Sequence, residues 1–441
     1  MVNSAKQNDS LETKNELLKQ KLFANTWLLL LFKPIYFEFL MFFSNNTADA
    51  RQAWPNTLLD TAKQSGDPLA DQVLARLIQE GNIGQVNNLL SHLDENNEGL
   101  PKDLPGYVYD YFAQTTALPE WADLEKIKKA QAFFSIQGPA FGIVLMFKSL
   151  PVLYAGSKGG VQILNMTGQL KDHFRRRASE TLRFILDAME PGGLSQNGKG
   201  IRSTQKVRLM HAAIRNFALV SGKWPTDGSW GVPINQEELG GTLAAFSTEA
   251  LGGLTQLGIK YTREEAECYM HAWRVIGYFL GIQEDYIPDS VDSAELFWTQ
   301  LETRNFARTK DALALTKVHV DFLEELIPGE IIDGIVPALM RNLLGKKIAE
   351  NYLGIPSAGW AKWLIYILKL ILNIREGFIG VSYNLDRFIT KDAIFLMESL
   401  QKYWAKADDS VPFQIPAGLD DPKTQRAGKA LFSNLQGLSK C

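Results

Sequence analysis

The stretch K-V-R-L-M-H-A-A-I-R-N-F, residues 206–217, holds one histidine between two arginines. Arg208, His211 and Arg215 follow one another at spacings of three and four, so an α-helix would set them within an arc of roughly 60°. The rest of that face is apolar. Buried guanidinium groups are costly unless they meet anions. The segment therefore predicts a buried helix whose cations meet either acidic side chains or an anionic ligand.

Helical signals extend outward from this stretch. Residues 68–80 start with Pro after Gly-Asp and end before Gly, as a helix should. Thr262 with Glu265 forms a capping box, and Asn235 with Glu238 forms its Asn variant. We predict further helices over residues 82–93, 121–149 (interrupted or kinked at Gly138-Pro139), 168–189, 203–220, 309–326, 333–352 and 360–374. Alternating β-branched strands are almost absent, so the fold class is all-α.

The domain organisation follows from the absence of long polar linkers between residues 50 and 390. We predict a single all-helical domain over residues 26–400, preceded by a disordered segment, 1–25, and followed by a C-terminal extension, 401–441. The net charge of −3 comes from 46 basic and 49 acidic residues, which disfavours a nucleic-acid partner.

Two features bear on location. The polar N-terminus has no apolar signal core, and the two cysteines are too few for a disulfide framework, so we expect a cytoplasmic protein. The apolar run 27–43 is broken by Lys33-Pro34 and Glu38 and is shorter than the ~20 apolar residues of a membrane span. We interpret it as a buried helix, with peripheral membrane contact as the alternative. Residues 360–374 are interpreted as an amphipathic core helix.

A second helix carries candidate chemistry. In D-H-F-R-R-R-A-S-E-T-L-R-F, residues 172–184, Arg177, Glu180 and Thr181 occupy neighbouring helical positions. Arg177 and Thr181 at i and i+4 could face a pocket with Glu180 beside them, whereas the other arginines suit a solvated face. The five histidines lack the spacing of a metal cluster, and His271 is interpreted as structural.

With these motifs the chain resembles a known family, the haem-dependent oxygenases that include bacterial latex clearing proteins (rubber oxygenases) and fungal ER-bound oxygenases of the MpaB type. The matching segments span about residues 55–360 in family order. They are G-D-P-L-A-D (66–71), L-P-E-W-A-D (118–123), K-S-L-P-V-L-Y (148–154), R-x-x-E-T (177–181), V-R-L-M-H-A-A-I-R (207–215), G-V-P-I-N-Q-E-E-L-G-G-T-L-A-A-F-S (231–247), and R-N-L-L-G with L-G-I-P (341–356).

The resemblance implies a globin-like helical core around haem b. It implies His211 as the proximal iron ligand, with Arg208 and Arg215 as haem-pocket neighbours that meet the propionates. Arg341 matches a further pocket arginine. The implied activity is oxidative cleavage or oxygenation of C=C bonds in a hydrophobic, isoprenoid-like substrate with O2.

On the distal side, the resemblance implies Arg177 and Thr181 as a pair. The rubber-cleaving members carry lysine just before that threonine, and this chain has Glu180 instead. Under this hypothesis Glu180 is the candidate acid or base, because a carboxyl desolvated near haem has a raised pKa. No equivalent of the family's distal glutamate base is evident. Two alternatives remain: a haem protein for peroxide chemistry, sensing or haem handling, and a helical interaction protein without a cofactor.

Overall fold

The computed structural model describes residues 54–80, 104–166, 174–196, 198–326, 334–379, 391 and 397–398. Every regular element within these ranges is helical, and none of the described residues forms a strand. The all-α prediction is therefore confirmed. The run 27–43, the helix predicted over 82–93, and the terminal segments 1–25 and 401–441 lie outside the described residues.

Fifteen α-helices are described, together with short π- and 3₁₀-helical segments. They are α1 (Asn56–Lys63), α2 (Pro68–Gln79), α3 (Gly106–Gln114), α4 (Leu124–Val144), α5 (Leu150–Gly156), α6 (Lys158–Met166), α7 (Phe174–Met189), α8 (Lys199–Val220), α9 (Gln236–Phe246), α10 (Thr248–Leu257), α11 (Arg263–Phe279), α12 (Val291–Asn305), α13 (Lys310–Leu326), α14 (Ile335–Lys346) and α15 (Lys362–Phe378). The helices predicted from residues 68, 168, 203, 309 and 333 onward are among them.

Local capping explains where several helices begin. The Asp67 carboxylate accepts the backbone N–H of Ala70 and starts α2, with Pro at the first helical position. Thr262 and Glu265 form the complete capping box that starts α11. These caps use backbone N–H groups that have no partner inside the helix.

The long helix α4 runs through Pro139 and is not interrupted there. It continues as a π-helical segment, Leu145–Ser149, and then as α5. The stretch Leu124–Gly156 has the length, 33 residues, and mean hydropathy, 1.4, of a membrane span, but 67% of the apolar window is buried inside the fold. We therefore describe it as the central core helix. Aromatic packing joins it to α11, where Phe141 and Tyr269 stack with ring centroids 4.8 Å apart.

The helix α15 corrects one sequence interpretation. Residues 360–374 were expected to form an amphipathic core helix, but Trp363 is 68% exposed and Leu370 is 59% exposed. Ile365 and Leu372 are the buried positions of this helix. Its cation Lys369 instead turns inward and donates to Asn342 Oδ1 at 3.3 Å. Periodicity correctly indicated a two-faced helix but could not say which face meets the protein.

Candidate active site

A cavity of about 340 Å³ lies within the bundle, bounded by side chains from α5 through α9 and from α11 and α12. This volume falls in the range of small-molecule and cofactor sites. The wall is mostly apolar, and seven rings of Phe, Trp and Tyr contribute to it: Tyr154, Phe174, Phe184, Phe246, Trp273, Trp298 and Phe306. The cavity can therefore hold a hydrophobic molecule away from water.

His211 projects from the middle of α8 and lines this cavity. Burial, together with the positive charges of Arg215 and Arg177, lowers the pKa of its imidazole from 6.5 to about 3. The ring is thus neutral at pH 7. Its Nδ1 is buried and has no hydrogen-bond partner in the described part of the chain. A neutral imidazole that lines a cavity is chemically suited to ligate a metal centre.

The helix α7 brings Arg177, Glu180 and Thr181 to the same cavity wall, as their helical spacing indicated. Burial lowers the pKa of Arg177, and the charge of Glu180 opposes that shift. No ion pair of Arg177 occurs among the described residues. This guanidinium is therefore placed to meet an anionic group inside the cavity. Glu180 is half-buried, and its charge acts on Arg177.

Arg208 does not line the cavity. It binds Asp67 in a two-pronged ion pair, with Nε–Oδ2 at 2.5 Å and Nη2–Oδ1 at 2.8 Å. Gly281, at φ 80°, passes so close that an added Cβ would lie 2.4 Å from Arg208 Nε. The G-D-P-L-A-D motif thus supplies the acidic partner that sequence analysis left open for the buried cations.

Arg215 also lies outside the cavity wall. It pairs with Asp71 and donates to two backbone carbonyls, those of Pro233 at 2.9 Å and Ile234 at 2.8 Å. Ile234 has φ 51°, a strained conformation for a β-branched residue, and it does line the cavity. Arg215 therefore holds a strained turn in place at the cavity edge.

Arg208 and Arg215 position His211 indirectly, because they fix the helix α8 that carries it. They flank the histidine on one helix and tie that helix to α2 through Asp67 and Asp71. Arg341 is likewise absent from the cavity wall, pairing with Glu350 and donating to the Ile355 carbonyl at 2.9 Å. We describe these three arginines as positioning residues. Their contact with a cofactor stays a prediction.

The motif P-I-N-Q-E-E gives each polar residue a separate task. Asn235 caps α9 by accepting the backbone N–H of Glu238 at 3.0 Å. Gln236 donates to the carbonyls of Gly66, next to Asp67, and of Gly281, and so joins α9 to the residues on either side of the Arg208–Asp67 ion pair. Glu237 is buried and binds Arg304 Nε at 2.6 Å. The motif thereby fixes α9 to Gly66, just before α2, and to α12.

Glu238 is the cavity residue that sequence analysis missed as a functional candidate. Its Oε1 accepts the Ser157 hydroxyl at 2.5 Å, a contact that a capping box does not include, and the backbone N–H groups of Asn235 and Gly160 also favour its charged form. Burial raises its pKa from 4.5 to about 7. The sequence held no separate signal for Glu238, because its position three residues after Asn235 was already explained by the capping pattern.

Other candidates are accounted for by packing. His271 Nε2 accepts the backbone N–H of Asp123 at 2.8 Å, and its ring meets Trp121 edge-on. No group of three or more histidine, cysteine or acidic side chains that could hold a metal ion occurs within the described ranges.

The chain is similar to proteins of known type. Residues 131–368 match the family model described as ER-bound oxygenase mpaB/B′/rubber oxygenase, catalytic domain. A rubber oxygenase of Streptomyces sp. (strain K30) is 29% identical over 350 residues, which cover 75% of this chain and 82% of that protein. The structure of a latex clearing protein in its closed state matches with a TM-score of 0.62 at 24% identity, covering 76% of this chain and 91% of the other.

Proposed function

Because the chain belongs to the family of ER-bound mpaB/B′ oxygenases and rubber oxygenases, and is thus an oxygenase, we propose that it works with haem b and O2. We propose that it cleaves or oxygenates C=C bonds of a hydrophobic, isoprenoid-like substrate. The similarity to a rubber oxygenase favours polyisoprene or shorter molecules of that kind.

The observation that carries the haem proposal is the state of His211. It is neutral at pH 7, lines an apolar cavity, and keeps Nδ1 unpaired. The iron of haem b can be held by an imidazole, and its propionates accept charge-assisted hydrogen bonds. Arg177, the cavity-lining arginine with no ion pair among the described residues, fits the second requirement. The residues present therefore fit this cofactor.

When bound, haem b would supply the redox chemistry that activates dioxygen. The chain contributes placement and environment. His211 would hold the iron, and the ion pairs of Arg208 and Arg215 would keep α8 at a fixed depth. The aromatic wall would bind the hydrocarbon and exclude water, which strengthens every polar interaction inside. Thr181 would add a hydroxyl donor, and Glu180 a carboxylate, on the α7 side.

The proposal is tested on the purified wild-type protein in two steps. We expect a Soret band in the ferric protein that shifts on dithionite reduction. We then expect carbonyl products from a short polyisoprenoid, with both oxygen atoms drawn from ¹⁸O₂. Absence of a Soret band after haem addition would contradict the cofactor assignment. A haem protein that turns over peroxide but no alkene would favour the rival peroxide function.

A further inference from the structure

One end of the apolar cavity carries an uncompensated polar atom. Glu238 lines the cavity from α9, and its Oε1 is bound by the Ser157 hydroxyl at 2.5 Å. The other oxygen, Oε2, is buried and has no hydrogen-bond partner among the described residues. Buried polar atoms are nearly always paired, and each exception requires a physical explanation.

The surroundings hold this carboxyl group in one place. Ser157 Oγ itself accepts the backbone N–H of Gly160 at 3.2 Å, so the hydroxyl is fixed toward Glu238. At Gly159 an added Cβ would lie 2.7 Å from Glu238 Oε1, so only glycine leaves room for the carboxylate there. Ser157 and Gly159, at the start of α6, thus accommodate Oε1 of Glu238, while Oε2 has no hydrogen bond among the described residues.

An aliphatic polymer cannot satisfy that second oxygen, because hydrocarbon offers neither a donor nor an acceptor. Burial raises the pKa of Glu238 to about 7, so charged and neutral forms coexist at neutral pH. The charged form accepts a hydrogen bond, and the neutral form can also donate one. A hydroxyl group both donates and accepts, so it complements either form.

We propose that Glu238 Oε2 binds a terminal hydroxyl group, so that the substrate is an isoprenoid alcohol rather than an unfunctionalised hydrocarbon. This inference rests on the proposed function and narrows its substrate class. The remaining wall then holds the apolar chain, with His211 and Arg177 on α8 and α7. The hydroxyl end is anchored between α9 and the start of α6.

The test compares three ligands with the same prenyl chain: the terminal alcohol, its methyl ether and the parent hydrocarbon. Binding to the haem-loaded protein is followed by tryptophan fluorescence, because Trp273 and Trp298 line the cavity. This readout needs no turnover. We expect the wild type to bind the alcohol at least about tenfold more tightly than the hydrocarbon, since a site built around a hydroxyl rejects analogues without it.

The variants are Glu238→Leu and, as the matched control, Thr242→Val. Thr242 lines the cavity one turn along α9, and its hydroxyl is already used by the Glu238 backbone carbonyl at 2.8 Å. We expect Glu238→Leu to bind alcohol and hydrocarbon equally, and Thr242→Val to keep the preference. If Glu238→Leu does not fold, Glu238→Gln replaces it, because glutamine keeps the size and polarity of the side chain. We expect Glu238→Gln to show a weaker preference for the alcohol over the hydrocarbon.

The outcomes separate this inference from the proposed function. Equal wild-type affinity for alcohol and hydrocarbon would overturn the inference, as would an alcohol preference that survives in Glu238→Leu. A preference that depends on Glu238, in a protein that oxidises no alkene, would support the inference and contradict the proposed function. Turnover of all three ligands with equal kcat/KM would support the proposed function and contradict the inference that Glu238 selects an alcohol.

Discussion

His211 and His319 are two buried imidazoles with the same titration behaviour and different surroundings. Burial lowers the pKa of each to about 3, so both are neutral at pH 7. His319 binds the Tyr154 hydroxyl through Nδ1 at 3.1 Å, packs on Phe174 with ring centroids 4.7 Å apart, and has the Met146 backbone beside it. Each ring keeps one buried nitrogen without a hydrogen bond among the described residues, Nδ1 in His211 and Nε2 in His319. Of the two, His211 is the one that lines the cavity.

The contrast shows that burial and a depressed pKa do not identify a functional histidine. Both properties follow from desolvation alone. The two histidines differ in that a cavity lies beside the His211 ring, and in the contacts that fix the helix carrying each ring. The helix of His211 is fixed by ion pairs, with Arg208 bound to Asp67.

The largest effect is expected from the ion pair that fixes the His211 helix. Asp67→Ala leaves Arg208 buried without its partner and removes the cap of α2. We expect a loss of about 3–5 kcal/mol in the free energy of unfolding. Denaturant unfolding measures it. Asp321→Ala, which breaks an exposed pair with Lys317, is the control and should cost less than about 1 kcal/mol. Equal losses would contradict the account.

The next effect concerns the packed histidine. His319→Ala removes a ring from the core and leaves the Tyr154 hydroxyl without its partner. We expect a loss of about 2–4 kcal/mol in stability, with an unchanged haem content per folded molecule. Denaturant unfolding and a haem assay on the same sample provide the measurements. A variant that folds normally but lacks haem would show that the two histidines had been assigned the wrong roles.

Acid unfolding sharpens the same comparison. An imidazole whose pKa is 6.5 unfolded and about 3 folded stabilises the protein fully above pH 6.5, and that contribution is lost as pH falls toward 3. His319→Gln cannot titrate, so we expect its stability to fall less steeply below pH 6.5. The difference in slope is at most about 1.4 kcal/mol per pH unit. Parallel stability curves for wild type and variant would contradict a neutral, buried His319.

The smallest effect has the opposite sign and comes from Glu238. Its pKa rises from 4.5 to about 7 on folding, so its contribution to stability is present below pH 4.5 and lost as pH rises through 7. Glu238→Gln removes this titration. We expect the stability difference between variant and wild type to move in favour of the variant between pH 4.5 and 7. Thermal unfolding at several pH values measures it. A constant difference would contradict the raised pKa.

The sequence predicted the helices well, because caps and periodicity are local. The capping box of Thr262 and Glu265 and the start of α2 at Pro68 appear where expected. Helical spacing indicated that Arg177, Glu180 and Thr181 could face one pocket, and the family resemblance added His211. The structure brings all four to one cavity. Helical spacing fixes which residues share a face, and these four lie on two helices.

The partners of long-range contacts could not be predicted. Arg208 and Asp67 are 141 positions apart, and nothing local in the sequence joins them. Glu238 matched a capping pattern, yet its side chain crosses to Ser157 on another element. The exposed face of α15 was assigned to the core because periodicity gives two faces without naming the outer one. Tertiary contacts decide each of these cases.

The most direct test of the central claim is imidazole rescue of the visible spectrum. His211→Ala, His319→Ala and the wild type are each loaded with haem, and the ferric Soret band is recorded before and after imidazole addition. We predict that His211→Ala shows a weakened or shifted band that imidazole restores, while the His319→Ala band matches the wild type throughout. A wild-type band in His211→Ala without imidazole would contradict His211 as the ligand and the account built on it.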